Sequence, residues 1–316
     1  MKMTHGFCAA ALLLLLLPGL HPALAGPVSA PLVNSDELKA MACDPDVVVL
    51  DIRSDKIDGQ SRAGYEQEHV PCAVHSDYVK DGWRAKVDGV PAMLPPMEKL
   101  EALIGGLGID DSVQVVIAPL GADAKSMAAG ARVYWTLKVL GHDRVSILDG
   151  GTLGYAGDEA RPLEQGARSP VPRDFKARLR PQMLVSADEV ADAARQGQVL
   201  VDYRAQDEFT GLNRNEKTTR PGTLAGAVNL PLAWLTRDNG GHIRSPEAMT
   251  QLYRFAGIPP DAGQIAFCNT GHNSSLGWFV AHELMGNDGV RLYDGSMAQW
   301  SREDARPLVQ VIDLAD

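Results

Sequence analysis

Cys268 combines a nucleophilic side chain with a setting that suits nucleophilic work. It heads the stretch Cys268-Asn269-Thr270-Gly271-His272-Asn273-Ser274-Ser275, after the apolar run Gln264-Ile265-Ala266-Phe267 and before Leu276-Gly277-Trp278-Phe279-Val280-Ala281. The pattern predicts a strand, a tight polar loop and a helix. Such a connection turns backbone N–H groups inward, as in anion-binding nests. Gly271 relieves the steric limits on the turn. A thiolate at the centre of that loop is stabilised by the N–H groups around it, which raises its reactive fraction. The competing reading is plainer: a small hydrophobe packed at a strand end, as most free cysteines are.

Composition narrows the chemistry further. The chain has 316 residues and a formal net charge of −10. An acidic chain without a basic stretch argues against nucleic acid or an anionic membrane as partner. It leaves room for a small anionic substrate, which needs only a local positive pocket. Lys2, the apolar run from Ala9 to Leu17 and the small-x-small site Ala23-Leu24-Ala25 have the order of a secretory signal peptide over residues 1–25. The expected product is periplasmic or secreted, with no membrane attachment after cleavage. Cys43, Cys72 and Cys268 then remain, an odd number in an oxidising compartment. Cys43 and Cys72 lie in the first half and can bridge there, which leaves Cys268 free. No CxxC and no Cys/His spacing suggests a metal, and neither a metal nor an organic cofactor is expected.

The elements that must position Cys268 occur twice. Val47-Val48-Val49-Leu50-Asp51-Ile52-Arg53 answers to Val199-Leu200-Val201-Asp202-Tyr203-Arg204, each an apolar β-branched run ending in Asp-x-Arg. Val113 to Ala118 answers to Gln264 to Phe267. The helix-period segments Met127 to Leu140 and Leu276 to Met285 follow, with Gly141 and Gly286 as C-terminal caps. Ser186-x-x-Glu189 is a capping box that opens a further helix, ended by Gly197. Strands alternating with helices imply an α/β fold, mostly parallel sheets with helices on both faces. The expected division is residues 30–156, a linker rich in Pro, Gly and charge over 157–182, and residues 183–316.

With these motifs in order, the chain resembles the tandem rhodanese family of sulfurtransferases, whose members include thiosulfate and 3-mercaptopyruvate sulfurtransferases. The resemblance covers nearly all of the chain beyond residue 25. It rests on Leu50-Asp51-x-Arg53, His69-Val70-Pro71, Met93-Leu94-Pro95, Gly141-His142 and Leu148-Asp149-Gly150-Gly151 in the first half. In the second half it rests on Val201-Asp202-x-Arg204, Gly226-Ala227-Val228-Asn229, the Cys268 loop and Tyr293-Asp294-Gly295-Ser296. Tandem members carry the reactive cysteine in the second half only. Here the first half has Pro119-Leu120-Gly121-Ala122-Asp123 after the matching strand, and no thiol. The resemblance implies two rhodanese-like domains, the second catalytic, and a Cys268 persulfide that carries sulfur from a thiosulfate-like donor to cyanide or a thiol.

The loop also bears on the choice of reaction. Phosphatases and arsenate reductases of similar fold have a loop one residue longer and an arginine six positions after the cysteine. That position is Ser274, so a phosphoryl dianion lacks its fork-shaped partner. Asn269, Thr270, Gly271, His272, Asn273 and Ser274 are the expected substrate-binding loop. By resemblance to mercaptopyruvate enzymes, Thr270 stands where a serine hydroxyl pairs with an Asp and a His of the first half, here Asp51 and His69. An ion pair of Asp51 with Arg53, and a purely local role for His69, are the alternatives. Asp202 and Arg204 are expected to brace the loop. The family's anion-gripping arginine is replaced by Glu208. Arg214, Lys217 and Arg220 are the candidate replacements, Arg220 the favoured one. His272, which ordinarily titrates near neutrality, is expected to assist the anion or to cap the loop. The rival reading, supported by Glu208 and the uncharged Asn269 and Thr270, is a sulfur-carrier or anion-binding module that turns over poorly.

Overall fold

A computed structural model describes residues 29–59, 62–312 and 314; the expected signal peptide lies outside the described residues. The two Asp-x-Arg runs form interior strands of two parallel sheets. In the first half the elements are β1 (Leu32–Val33), α1 (Ser35–Met41), β2 (Val47–Asp51), α2 (Asp55–Asp58), α3 (Arg62–Gln67), β3 (Val74–His75), β4 (Ala85–Val87), β5 (Val90–Met93), α4 (Met97–Gly106), β6 (Gln114–Ala118), α5 (Ala124–Val139), β7 (Val145–Leu148) and α6 (Gly151–Ala156). The second half has α7 (Ala187–Arg195), β8 (Val199–Asp202), α8 (Gln206–Thr210), β9 (Val228–Asn229), α9 (Pro246–Phe255), β10 (Gln264–Phe267), α10 (Asn273–Trp278), β11 (Val290–Leu292) and α11 (Ser296–Trp300).

The first sheet runs β1-β7-β6-β2-β3 and the second β11-β10-β8-β9. Every pairing within both sheets is parallel. Residues such as Val49, Leu50, Val201 and Ile265 are buried because helices cover both faces, and so the strands read as continuous apolar runs. The antiparallel pair β4–β5 stands apart from both sheets.

Helix α5 explains how the halves join. Its residues are buried almost all round, including Arg132, Trp135 and Lys138, the signature of a helix with protein on every side. It packs on its own strands and on α10 of the second half. Tyr134 meets Phe279 edge-on at 4.8 Å between ring centroids, and one apolar cluster runs through both halves, from Leu50 and Ile117 to Val201 and Leu276. The helix starts at Ala124 rather than near Met127, because Asp123 accepts the Ser126 amide at 2.7 Å as an N-cap. The Ser186 capping box forms as expected, and Gly141 and Gly286 take left-handed φ of 91° and 74°. The second long helix differs from its expected start: it opens at Asn273, and its last turns, Phe279–Leu284, are π-helical. Among the described residues no helix is long and apolar enough to cross a membrane.

Cys43 and Cys72 form a disulfide, and Cys268 is free. The bond closes a loop of sequence separation 29. Restricting the unfolded chain over such a loop contributes about 3–4 kcal/mol. The Cys43→Ala/Cys72→Ala variant is expected to lose that much in urea unfolding while its activity at low temperature persists. An unchanged midpoint would show that the bond does not form or does not constrain the unfolded chain.

Candidate active site

Strand β10 delivers Cys268 to the carboxyl edge of the second sheet, buried at 1% exposure. The loop after it is fixed from below by Ser296. The Ser296 hydroxyl accepts the Cys268 amide at 3.2 Å and the Gly271 amide at 3.1 Å, and donates to the Tyr293 carbonyl at 2.8 Å. Three hydrogen bonds hold Ser296 in a left-handed conformation, φ 49°, that a non-glycine residue seldom takes. The Cys268 and Asn269 carbonyls accept the Met297 and Ala298 amides at 3.0 and 2.8 Å. Gly271 has φ 71°, and a Cβ there would lie 2.5 Å from the Arg132 guanidinium and 2.9 Å from the Asp294 carboxylate. No other residue type fits that turn.

Among the described residues, the amides of Asn269, Thr270, His272, Asn273 and Ser274 find no protein acceptor. They are free to donate to a ligand held at the loop. Ser274, where the phosphatases have arginine, is fully buried, and its hydroxyl donates to Cys268 Sγ at 3.4 Å. Asp202 and Arg204 form a buried bidentate pair at 2.6 to 3.0 Å beneath the loop. Arg204 also reaches the Gly222 carbonyl at 2.9 Å, and Thr223 donates to Asp202 at 2.8 Å.

The first half supplies much of the rest. Arg132 of α5 pairs with Asp294 at 2.6 Å and donates to the Gly271 carbonyl at 3.3 Å. Asp294 in turn accepts the Leu94 amide at 2.6 Å. His272 is held at both ring nitrogens. The Lys125 carbonyl can only accept, so Nε2, at 3.0 Å, carries the proton. Nδ1 therefore accepts from the Tyr78 hydroxyl at 2.8 Å. Burial, then the nearby charges of Arg84, Lys125 and Arg132, hold the His272 pKa well below the ordinary histidine value. The expectation of a near-neutral titration fails for that reason: His272 is a neutral bridge between the halves, not an auxiliary cation.

The open cleft above Cys268 has a volume of about 810 Å³. Cys268, Asn269, Thr270, His272 and Asn273 line it. Its cations are Lys56, Arg84, Lys86, Lys125 and Lys217, against the carboxylates of Glu208 and Glu216. Arg84 enters from the segment between β3 and β4. Its guanidinium lies 2.9 Å from the Tyr78 hydroxyl, 3.4 Å from Thr270 Oγ1 and 3.5 Å from His272 Nδ1, all neutral groups. Burial opposes its charge, but the surrounding Tyr78, Asp294 and Cys268 outweigh burial and raise its pKa. It is a cation of the cleft, in reach of the loop, that sequence reasoning missed. Nothing in its local sequence marks it, because only the docking of the halves brings it to Thr270.

Three expectations are corrected. Arg220 does not face Cys268: its Nε donates to the Ser301 carbonyl at 2.9 Å, and Nη2 to the Glu303 and Arg306 carbonyls at 2.7 and 2.9 Å. It ties down the chain after α11. Arg214 is likewise occupied, by the Thr218 carbonyl at 2.8 Å; Lys217 alone of the three candidates lines the cleft. Asp51 and His69 do not pair with Thr270. Asp51 binds Arg53 at 2.7 to 3.1 Å, mirroring Asp202 and Arg204. His69 stacks on Tyr65, donates from Nδ1 to the Tyr65 carbonyl at 2.8 Å, and lines a separate first-half cavity with Arg53 and Glu68. Glu208 does line the cleft; both its oxygens lie 3.0 Å from Asn269 Nδ2, and burial raises its pKa.

Comparison with known proteins agrees with this architecture. The model of the rhodanese-like domain family matches residues 34–158 and again 186–303. A curated Mycobacterium bovis relative, provisionally named thiosulfate sulfurtransferase 1, is 30% identical over 286 residues, 88% of this chain and 96% of its own. A Haloferax volcanii relative, provisionally named a thiosulfate sulfurtransferase, is 30% identical over 251 residues, 77% and 84% of the two chains. The crystal structure of SseA from Escherichia coli, described with the mechanism of 3-mercaptopyruvate sulfotransferases, superposes with a TM-score of 0.74 at 25% identity. It covers 85% of this chain and 99% of that one. An anaerobic ergothioneine biosynthesis enzyme from Chlorobium limicola shares the fold, with a TM-score of 0.75 at 19% identity over 90% of this chain and 71% of its own. A duplicated match over most of the chain, on two sheets whose four equivalent strands keep one order, carries one conclusion: the chain belongs to the rhodanese family, with two rhodanese-like domains in tandem.

Proposed function

We propose that this chain is a thiosulfate sulfurtransferase-like enzyme that carries sulfur on Cys268, exported to an oxidising compartment. The Cys268 thiolate attacks the outer sulfur of thiosulfate. The S–S bond of the donor breaks, sulfite leaves with the electron pair, and Cys268 holds a persulfide anion. Cyanide, or the thiolate of an acceptor, then attacks the terminal sulfur and returns the electron pair to Cys268 as thiolate. The exchange is a two-step covalent transfer with no net oxidation. Loop amides stabilise the anion that develops at each step, and Arg84 meets the charge the donor carries beyond its transferred sulfur.

The single observation that carries this reading is a free thiol at the head of a loop whose five amides have no protein acceptor among the described residues, with the Arg84 guanidinium reaching that loop at Thr270. It favours turnover over the passive carrier, because Arg84 takes the place of the cation lost at Glu208. Export is supported by the segment 1–25 and by the Cys43–Cys72 bond. Steady-state assays with thiosulfate and with mercaptopyruvate, each against cyanide, test the proposal. Thiocyanate formation with parallel double-reciprocal lines is expected for at least one donor. Absence of turnover with both would leave the carrier as the better account.

A further inference from the structure

We infer that Glu208 and Asn269 form an ammonium subsite beside Cys268, so that the cleft takes a zwitterionic sulfur compound with an amine at one end and an acid group at the other. This deepens the sulfur-transfer reading and rests on it for the sulfur chemistry, though not for the binding. The cleft is divided by charge. Four of its five cations, Arg84 and Lys125 among them, come from the first half, and both its carboxylates come from the second. Arg84 reaches Thr270, and Glu208 reaches Asn269, the two residues that directly follow the thiol.

The Glu208–Asn269 unit has acceptor capacity left over. A carboxylate offers about four lone-pair sites, and among the described residues the one side-chain donor on Glu208 is Asn269 Nδ2, shared between its two oxygens. That contact also settles the amide orientation, since the NH₂ must face the carboxylate. Asn269 Oδ1 is then a buried acceptor with no donor among the described residues. A dianion such as thiosulfate meets Arg84 but is repelled by Glu208. An amino acid or amino sulfonate satisfies both charges, and its ammonium hydrogens match the unfilled acceptors.

Taurine and isethionate share a sulfonate and differ in ammonium against hydroxyl, and neither has a transferable sulfur. Their dissociation constants, from ligand-observed NMR titration of the wild-type protein and of Glu208→Gln, test the subsite. Taurine is expected to bind about tenfold tighter than isethionate, and the difference to vanish in Glu208→Gln. That variant keeps the shape and the Asn269 contact. Equal affinities in the wild type, or no measurable taurine binding, overturn the inference, and the wild-type comparison needs no variant to fold. An ammonium preference that survives Glu208→Gln overturns the assignment to this pair. Sulfur loading of Cys268 by thiosulfate, followed by mass on the same preparation, reports on the sulfur-transfer reading separately. Loading without an ammonium preference defeats only the subsite; a preference without loading defeats only the sulfur chemistry.

Discussion

Cys268→Ser is expected to lose more than about a thousandfold in turnover while the protein stays folded. A serine hydroxyl is a far weaker nucleophile than a thiolate near neutral pH, and its oxygen cannot hold a transferable sulfur as a persulfide. The backbone contacts that place residue 268 do not involve its side chain: its amide donates to Ser296 and its carbonyl accepts from Met297. The hydroxyl also finds a partner in Ser274, whose oxygen already reaches the sulfur. Stability should therefore stay within about 1 kcal/mol of the parent. Intact-mass measurement after thiosulfate treatment should show a gain of about 32 Da, one sulfur, in the parent only. Equal turnover by the serine variant would end the covalent account. A mass gain that maps to another residue would do the same.

Arg84→Gln carries the second large effect. Among the described residues the guanidinium makes no ion pair and touches Tyr78, Thr270 and His272, so its charge is available to a ligand in the cleft. Loss of a charge-assisted contact costs about 1.5–3 kcal/mol, which converts to roughly tenfold to a hundredfold in kcat/KM for an anionic donor. The loss belongs to persulfide formation. Discharge of a preloaded persulfide to a neutral thiol should change much less, and Arg84→Lys should recover part of the loading rate because the charge returns without the fork. Arg220→Ala provides the contrast. It removes a clamp on the Ser301, Glu303 and Arg306 carbonyls and should lower the melting temperature with little effect on the loading rate of the folded protein. If Arg84→Gln loads at the parental rate, the loop amides alone bind the donor; if Arg220→Ala loads slowly at full stability, the placement of Arg220 away from the cleft is wrong.

Several features of the site were open to reading because they are local. Continuous β-branched runs ending in Asp-x-Arg announce buried parallel strands, and the backbone amide and side chain of each arginine close on the aspartate two residues earlier. That geometry needs only neighbours in the chain, and it recurs unchanged in β2 and β8. The turn at Gly271 was legible for a similar reason, since a strand that must reverse within a few residues needs a left-handed position. The free state of Cys268 followed from an odd count and from the position of the other two cysteines.

What lies across the domain boundary was not legible. Tyr78 and Arg84 from the segment between β3 and β4, and Lys125 and Arg132 from α5, meet the loop at sequence separations of 139 to 194. No periodicity records such a meeting; it is decided by how α5 is buried between the halves. The choice of Arg220 failed because proximity in sequence to the second sheet says nothing about which carbonyls a guanidinium will find first. His272 shows the same limit in its charge. Its residue type suggests a group that titrates near neutrality, but burial between Tyr78 and the Lys125 carbonyl, beside three cations, keeps it neutral. Sequence by itself determined the duplicated fold, the free thiol and the shape of its loop, because these rest on contacts between near neighbours. Only the tertiary structure decided which charges surround that thiol, because electrostatic contacts form between whichever groups packing brings within a few ångströms.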